Sequence, residues 1–318
     1  MRNFWILVLA LLLLMSSLVS CGNVAEDDKN ITIVTTIFPE YDWVRQILGD
    51  YSDNINLVLL VQNGTDLHSY QPTVADIATI SDCDILVRTG GMSDSWIDDV
   101  LAASPDKERI VVELMDLLSD EEKLGEQSHH HNAGHEHGGE HDEHVWLSLR
   151  LAARFCLEIC DAICRKCPEY AEAYSTNCSE YTERLRALDE MYMQSIGSER
   201  DRFLLFADRF PFSYLMHDYG VTCFAAFPGC SAESEASFET IAYLADQVDA
   251  HSLPAVIILE NSDSKIADTV IAATKDKKAD IVILNSLQSV TRQDIDDGVT
   301  YLKIMTQNLD AILASLNE

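Results

Sequence analysis

From Ile31 onward the chain alternates between two rhythms of apolar and polar positions. Short apolar runs at Ile31–Thr35, Ile55–Val61, Asp84–Arg88 and Ile110–Glu113 read as strands buried on both faces of a sheet. Between them, Tyr41–Leu48, Thr73–Ile80 and Ser95–Ala102 carry apolar residues at helical spacing. Strand and helix in strict alternation predict βαβ units and a parallel sheet. The rhythm stops over residues 119–143, where charge, histidine and glycine dominate without an apolar period, so a solvated loop is expected there.

Leu147–Lys166 and Glu169–Ser195 then read as helix, with Pro168 at a first-turn position where its missing N–H is harmless. The second helix would reach roughly 40 Å at 1.5 Å per residue, long enough to bridge two lobes. Alternation resumes with strands at Phe203–Ala207, Val221–Ala226, Ala255–Glu260 and Asp280–Leu284, and helices at Phe238–Val248, Lys265–Ala273 and Gly298–Leu316. The predicted architecture is α/β with two lobes, each a mainly parallel β-sheet flanked by helices, joined by one long linking helix. Residues 31–168 form the N-terminal lobe, 169–198 the linker and 199–318 the C-terminal lobe. Ligands of such sheets bind beyond the carboxyl ends of the strands, which puts a site in the inter-lobe cleft.

The first 30 residues follow neither rhythm. Arg2 precedes an apolar run from Phe4 to Met15 and then Ser16-Ser17-Leu18-Val19-Ser20-Cys21. A permanent span needs about 20 apolar residues, so this shorter run suits a secretory signal. Leu18-Val19-Ser20-Cys21 resembles the lipobox of bacterial lipoproteins, whose cysteine receives diacylglycerol and becomes the new N-terminus. Residues 1–20 are therefore expected to be a signal peptide, Cys21 the lipidated residue and residues 21–30 a tether. That places the protein outside the cytoplasm, anchored to the membrane.

Composition narrows the class further. The chain carries 22 basic and 53 acidic residues; removal of residues 1–20 takes one Arg and no acid, leaving a formal charge of −32. Such a surface repels nucleic acid and attracts cations, so nucleic-acid binding is set aside. With 47% apolar residues the chain is amply globular, and its length favours two lobes over one core. Eight cysteines remain beyond Cys21, and their spacing dictates no pairing. Cys156, Cys160, Cys164 and Cys167 recur at helical spacing in one amphipathic stretch, which reads as small core residues. A second, thiolate metal site is a minor alternative for them. Cys223 and Cys230 flank a strand end, where a disulfide is open to them.

Histidine supplies the chemistry. Seven of the ten histidines lie between positions 129 and 144, in Ser128-His-His-His-Asn-Ala-Gly-His-Glu-His-Gly-Gly-Glu-His-Asp-Glu-His144. Imidazole nitrogen is the side-chain donor best suited to zinc and neighbouring divalent transition metals. His129, His130, His131, His135, His137 and His141 read as a metal-collecting loop, with a solvated spacer as the bland alternative. His144 differs, because Val145-Trp146-Leu147 follows as ordered structure. His68, in Asp66-Leu67-His68-Ser69-Tyr70-Gln71-Pro72, follows the second strand and falls at its carboxyl end.

His68 in Asp-Leu-His-Ser-Tyr-Gln-Pro, His144 in Asp-Glu-His-Val-Trp-Leu-Ser, the histidine-rich loop between them and the lipobox together resemble the zinc and manganese ABC-transporter solute-binding lipoproteins. Cys83-Asp-Ile-Leu-Val-Arg-Thr-Gly-Gly with Trp96, Phe206-Ala-Asp-Arg-Phe-Pro-Phe-Ser-Tyr214 with Tyr219-Gly220, and Ala255–Glu260 extend the resemblance over nearly the whole mature chain. The resemblance implies that His68 and His144 are metal ligands, with Asp66 and Asp142 as partners that orient the rings. It also implies a third ligand after the first strand of lobe two, usually histidine, or glutamate in manganese binders. Here Ala207 stands nearest that position, so Asp208 is the candidate and His217 the runner-up; an ion pair with Arg209 is the competing role for Asp208. Glu260 and Asn285, in Leu284-Asn285-Ser286, are the remaining candidates. Loss of an anionic ligand at Asn285 favours Zn²⁺ over Mn²⁺.

The implied function is capture of Zn²⁺, or alternatively Mn²⁺, by a monomer and its delivery to a membrane permease of the ABC type, without enzymatic chemistry. Two other classes compete. His137-Gly-Gly-Glu-His141 matches His-x-x-Glu-His of zinc hydrolases, but Gly138 and Gly139 argue against the helix that motif needs, and the sequence holds no His-Glu-x-x-His, Gly-x-Ser-x-Gly or P-loop. A metal-storage or adhesin surface lipoprotein shares every binding feature.

Overall fold

The structure, a computed structural model, describes residues 30–62, 64–65, 67–105, 108–125, 141–197, 202–229, 231 and 235–316. The expected signal peptide, Cys21, Asp66, His129, His130, His131, His135, His137 and Cys230 lie outside these residues. Among the described residues, no helix is long and apolar enough to cross a membrane.

Strands β1 (Ile31–Thr35), β2 (Ile55–Leu59), β3 (Ile85–Arg88) and β4 (Ile110–Glu113) form a parallel sheet in the order β2-β1-β3-β4. Helices α1 (Phe38–Leu48), α2 (Val74–Asp82) and α3 (Trp96–Ala103) connect them. Helix α4 (Leu149–Lys166) and the long α5 (Ala171–Ile196) follow. The second sheet, β5 (Phe203–Phe210), β6 (Thr222–Pro228), β7 (Ala255–Leu259) and β8 (Asp280–Leu284), is also parallel, in the order β6-β5-β7-β8. Its helices are α6 (Ser213–Tyr219), α7 (Phe238–His251), α8 (Lys265–Ala273), α9 (Arg292–Asp296) and α10 (Tyr301–Ser315). The two-lobed α/β architecture with its long helix is as the periodicity predicts. Strand β5 runs three residues beyond the expected end, and its register against β6 shifts between Phe206 and Arg209.

Alternate strand residues serve different cores, as the two-residue side-chain period requires. Val34 faces outward onto Leu60, Ile80, Leu86 and Ile97, and Leu205 onto Leu244, Val256 and Val270. Ile33 and Phe206 face the other way, into one cluster that runs through both lobes and includes Trp43, Phe155, Trp146 and Tyr301. The Trp43 ring meets Tyr301 edge-on at 5.3 Å and Phe155 at 6.0 Å. Buried Asp42 accepts the backbone N–H of Tyr301 at 2.9 Å, tying the first turn of α10 to α1. Wide hinging would expose this shared core at about 25 cal/mol per Å², so small loop shifts are the motions the frame tolerates.

Among the described residues the cysteines are free thiols. Cys178 on α5 donates to the Cys156 carbonyl on α4 at 3.4 Å, and Cys160 and Cys164 stand 3.9 Å apart. Burial pushes the Cys156 thiol far up, and a hydrogen bond to Cys178 followed by burial does the same for Cys160. Protonated, enclosed thiols are inert packing groups, in keeping with the core role expected of them.

Strand order places β2 on one side of β1 and β3 on the other, and the crevice at their carboxyl ends is where such sheets usually take ligands. Glu40 fills it. Its Oε2 accepts Thr36 N–H at 2.7 Å, the Thr36 hydroxyl at 2.9 Å and Ile37 N–H at 3.2 Å, and Thr89 Oγ1 lies 3.3 Å from Oε1. Burial, then the nearby charge of Asp94, raises its pKa from 4.5 to about 8. The folded chain therefore holds a proton that the unfolded chain has released between those two values, so stability falls as pH rises through that window. Urea unfolding of the metal-free protein at pH 5, 6.5 and 8 should show this group removing up to about 1.4 kcal/mol per pH unit. Glu40→Gln should flatten the slope.

Candidate metal centre

His68 sits in a 3-10 turn, Leu67–Ser69, beyond the carboxyl end of β2, with Leu67 buried beneath it. His144 directly precedes a second 3-10 turn, Val145–Leu147, whose three side chains are fully buried. Trp146 Nε1 donates to Ser286 O at 3.0 Å, and the Tyr301 hydroxyl donates to Trp146 O at 2.7 Å. Ser148 then caps α4 by accepting Leu151 N–H at 3.1 Å. The segment bearing His144 is thus gripped by lobe two, although it follows the last strand of lobe one.

The two rings meet. His68 Nε2 lies 3.1 Å from His144 Nε2, with the rings tilted by 57°. Each Nδ1 faces an acid: His144 Nδ1 lies 2.8 Å from Asp142 Oδ1, and His68 Nδ1 lies 3.0 Å from Glu143 Oε1. Asp142 Oδ1 also accepts the His144 backbone N–H at 2.9 Å. Ser93 stands 2.6 Å from His68 Nδ1 and binds Glu143 through both its hydroxyl and its N–H. Burial opposes the Glu143 charge, but hydrogen bonds from His68 and Ser93 overcome it and hold its pKa at about 2. Carboxylates on both Nδ1 atoms fix the tautomer with a proton there and aim both Nε2 lone pairs at one point. Two nitrogens at 2.0–2.1 Å from a tetrahedral zinc would be about 3.3 Å apart. The separation here is close to that edge.

Asp142 stands where a ring-orienting partner is expected, whereas Glu143 and Ser93 serve His68, a role the sequence reading did not assign. Their signal was slight, because an Asp-Glu pair in so acidic a chain looks like solvated surface. Gly91 makes the arrangement possible: a Cβ there would lie 1.8 Å from Glu143 Oε2. Gly229, just past β6, closes the other side, with an added Cβ 3.0 Å from His144 Cε1.

The remaining predicted ligands are engaged elsewhere. Asp208 Oδ2 accepts Leu259 N–H at 3.0 Å and Oδ1 accepts Arg209 N–H at 2.8 Å. It replaces the ladder partner that β7 loses when β5 bulges after Phe206. Ala207 packs in the outer core of lobe two. Glu260 accepts Ser286 N–H at 2.8 Å and its hydroxyl at 2.7 Å, holding the loop after β8. Asn285 Oδ1 accepts Leu287 N–H at 2.8 Å within that loop. His217 is exposed on α6, and His141 is exposed beside Gly125 in an antiparallel bridge. Among the described residues, no group of three His, Cys, Asp or Glu side chains is disposed to hold a metal ion.

Two parallel-sheet lobes on a shared helical backbone, with a ligand-like imidazole pair where they meet, define the class of two-lobed α/β solute-binding proteins. The chain belongs to the family of zinc-uptake complex component A, periplasmic (ZnuA), whose pattern matches residues 33–315. It is 30% identical over 300 residues to the zinc-binding lipoprotein AdcA of Streptococcus pneumoniae, spanning 93% of this chain but only 58% of that protein. It is 29% identical over 307 residues to the high-affinity zinc uptake system protein ZnuA of Bacillus subtilis, with 93% of each chain covered. Among solved structures, the Zn(II)-bound ZnuA-like domain of S. pneumoniae AdcA superposes with a TM-score of 0.73 at 27% identity, covering 91% of this chain and all of that one. The metal-dependent lipoprotein YcdH of B. subtilis gives 0.75 at 27% identity, again over 91% and 100%.

A methyl group at Gly91 collides with the carboxylate that orients His68. Gly91→Ala should lower the thermal midpoint of the metal-free protein by a few degrees. Cobalt titration, followed by absorbance, should show divalent-metal affinity reduced about 10- to 100-fold.

Proposed function

We propose that this protein captures Zn²⁺ outside the cytoplasmic membrane and delivers it to the permease of an ATP-driven importer. The observation that carries the reading is the convergence of His68 Nε2 and His144 Nε2, 3.1 Å apart, with both Nδ1 atoms engaged by carboxylates. Two unprotonated nitrogens facing each other at that separation repel unless a proton or a metal ion lies between them. A divalent, imidazole-preferring cation answers the charge and the geometry together, and the acid pair behind the rings balances it. The zinc-binding and zinc-uptake names of the relatives support the same cargo. Lipidation at Cys21 would hold the protein at the membrane, and the loop histidines His129, His130, His131, His135, His137 and His141 would collect ions near the tight site. Binding and release suffice for this activity, and no bond of a substrate needs to break.

Calorimetric titration of Zn²⁺ into the full mature chain should give one tight site, abolished in His68→Ala and in His144→Ala. Its affinity should fall as pH drops below about 6, because imidazole must be deprotonated to bind. Replacing residues 126–140 with a short Gly-Ser linker should keep the tight site and remove weaker stoichiometry. Asp208→Ala should cost stability while leaving one tight zinc per chain. Tight zinc binding at one site in the double histidine variant would sink the proposal.

A further inference from the structure

The described residues on either side of the histidine-rich segment are joined in a tight clasp. Asp142 N–H donates to Leu124 O at 2.8 Å, and Gly125 and His141 pair as an antiparallel bridge just above it. One side chain from lobe two closes both strands of the clasp. The Tyr214 hydroxyl, on α6, accepts the Leu124 N–H at 3.1 Å and donates to the Asp142 carbonyl at 3.1 Å. Tyr214 is 4% exposed and Asp142 2%, so water is poorly placed to replace either bond. The same Asp142 holds His144 twice through its carboxylate, at the ring and at the backbone.

We propose that Tyr214 is a positioning residue of the metal site, which locks the base of the histidine-rich loop into the frame that aims His144. The inference rests on the zinc-capture reading. Its physical content is a short chain of contacts: Tyr214 fixes the Asp142 backbone, Asp142 fixes the His144 ring, and that ring supplies one of the two converging nitrogens. Whatever draws on the loop ends bears on Asp142, and the hydroxyl decides how much of that displacement reaches the ring. His141, in the clasp itself, is the loop histidine nearest in the chain to His144.

The test uses the full mature chain and Zn²⁺, with Tyr214→Phe removing only the hydroxyl. Tyr214→Phe should still bind one zinc tightly, with affinity reduced about tenfold. By NMR, the His144 Nδ1 proton facing Asp142 should exchange slowly in the unaltered protein and faster in the variant. A purely structural role would lower the melting temperature without moving that resonance. Replacing residues 126–140 with a short Gly-Ser linker should change the zinc off-rate in the unaltered background and have no further effect beside Tyr214→Phe. Unchanged zinc affinity with an unchanged His144 proton would overturn the inference. If Tyr214→Phe loses its near-UV circular dichroism, Leu124→Pro, which deletes the N–H donated to the hydroxyl, is read by the same measurements. Failure of the unaltered protein to bind zinc tightly would instead overturn the zinc-capture reading, so the two failures are distinguishable.

Discussion

Two imidazole nitrogens 3.1 Å apart, carried on turns 76 residues apart in the chain, are the constraint around which this molecule is organised. Bringing two lone pairs together is unfavourable in itself, and the rings stay only because their far sides are held. Asp142 and Glu143, adjacent in sequence, each take one Nδ1. Burying those carboxylates is costly unless they are hydrogen-bonded, and Ser93 and the His144 backbone supply the bonds. Close approach at Gly91 leaves room for the Glu143 side chain, and Gly229 leaves room beside His144.

The frame behind the site makes this arrangement durable. The inner faces of both sheets drain into one apolar cluster shared with α1, α4, α5 and α10, so the lobes are two halves of a common core. His144 belongs by chain order to the end of lobe one, yet Trp146, Tyr301, Ser286 and Tyr214 bind its segment to lobe two. His68 stands on a short turn, and its ring meets Ser93, Glu143 and His144 among others. Of the two rings, His68 sits on the less enclosed element, with its side chain 13% exposed against none for His144. The crevices at the strand ends, where parallel sheets often bind ligands, are occupied by protein: Glu40 in lobe one and Asp208 in lobe two. The paired imidazoles therefore stand on two turns of lobe one, the second of which is bound to lobe two.

Most of the fold was legible in periodicity. Strands β1, β4 and β8 and helix α8 coincide with their apolar patterns, although the edge strands β4 and β8 are not buried on both faces as expected, since Val111 and Ile283 are exposed. The short helix α9 was not legible, since its start is set by Thr291 and Asp294 bonding each other's backbone rather than by an apolar stripe. Strand β5 outruns its apolar pattern because a bulge interrupts the alternation at Ala207 and Asp208. That bulge also explains why Asp208, the candidate third ligand, serves the Leu259 backbone instead of standing with the imidazoles.

Sequence alone determined the class of architecture, because periodicity is a local property, and its resemblance to a metal-binding family singled out His68 and His144 as candidates. Only tertiary structure decided which groups orient those rings. Glu143 reaches Ser93 across 50 positions, and Tyr214 reaches Asp142 across 72. Such partnerships leave no periodic trace, since each needs a single acid or hydroxyl whose neighbours are chosen by how helices and sheets pack. The same reason sets the hydrogen bonds of Asp208, Glu260 and Asn285. Each has the chemistry of a metal ligand, and each is committed to a backbone N–H that only the folded chain brings within reach.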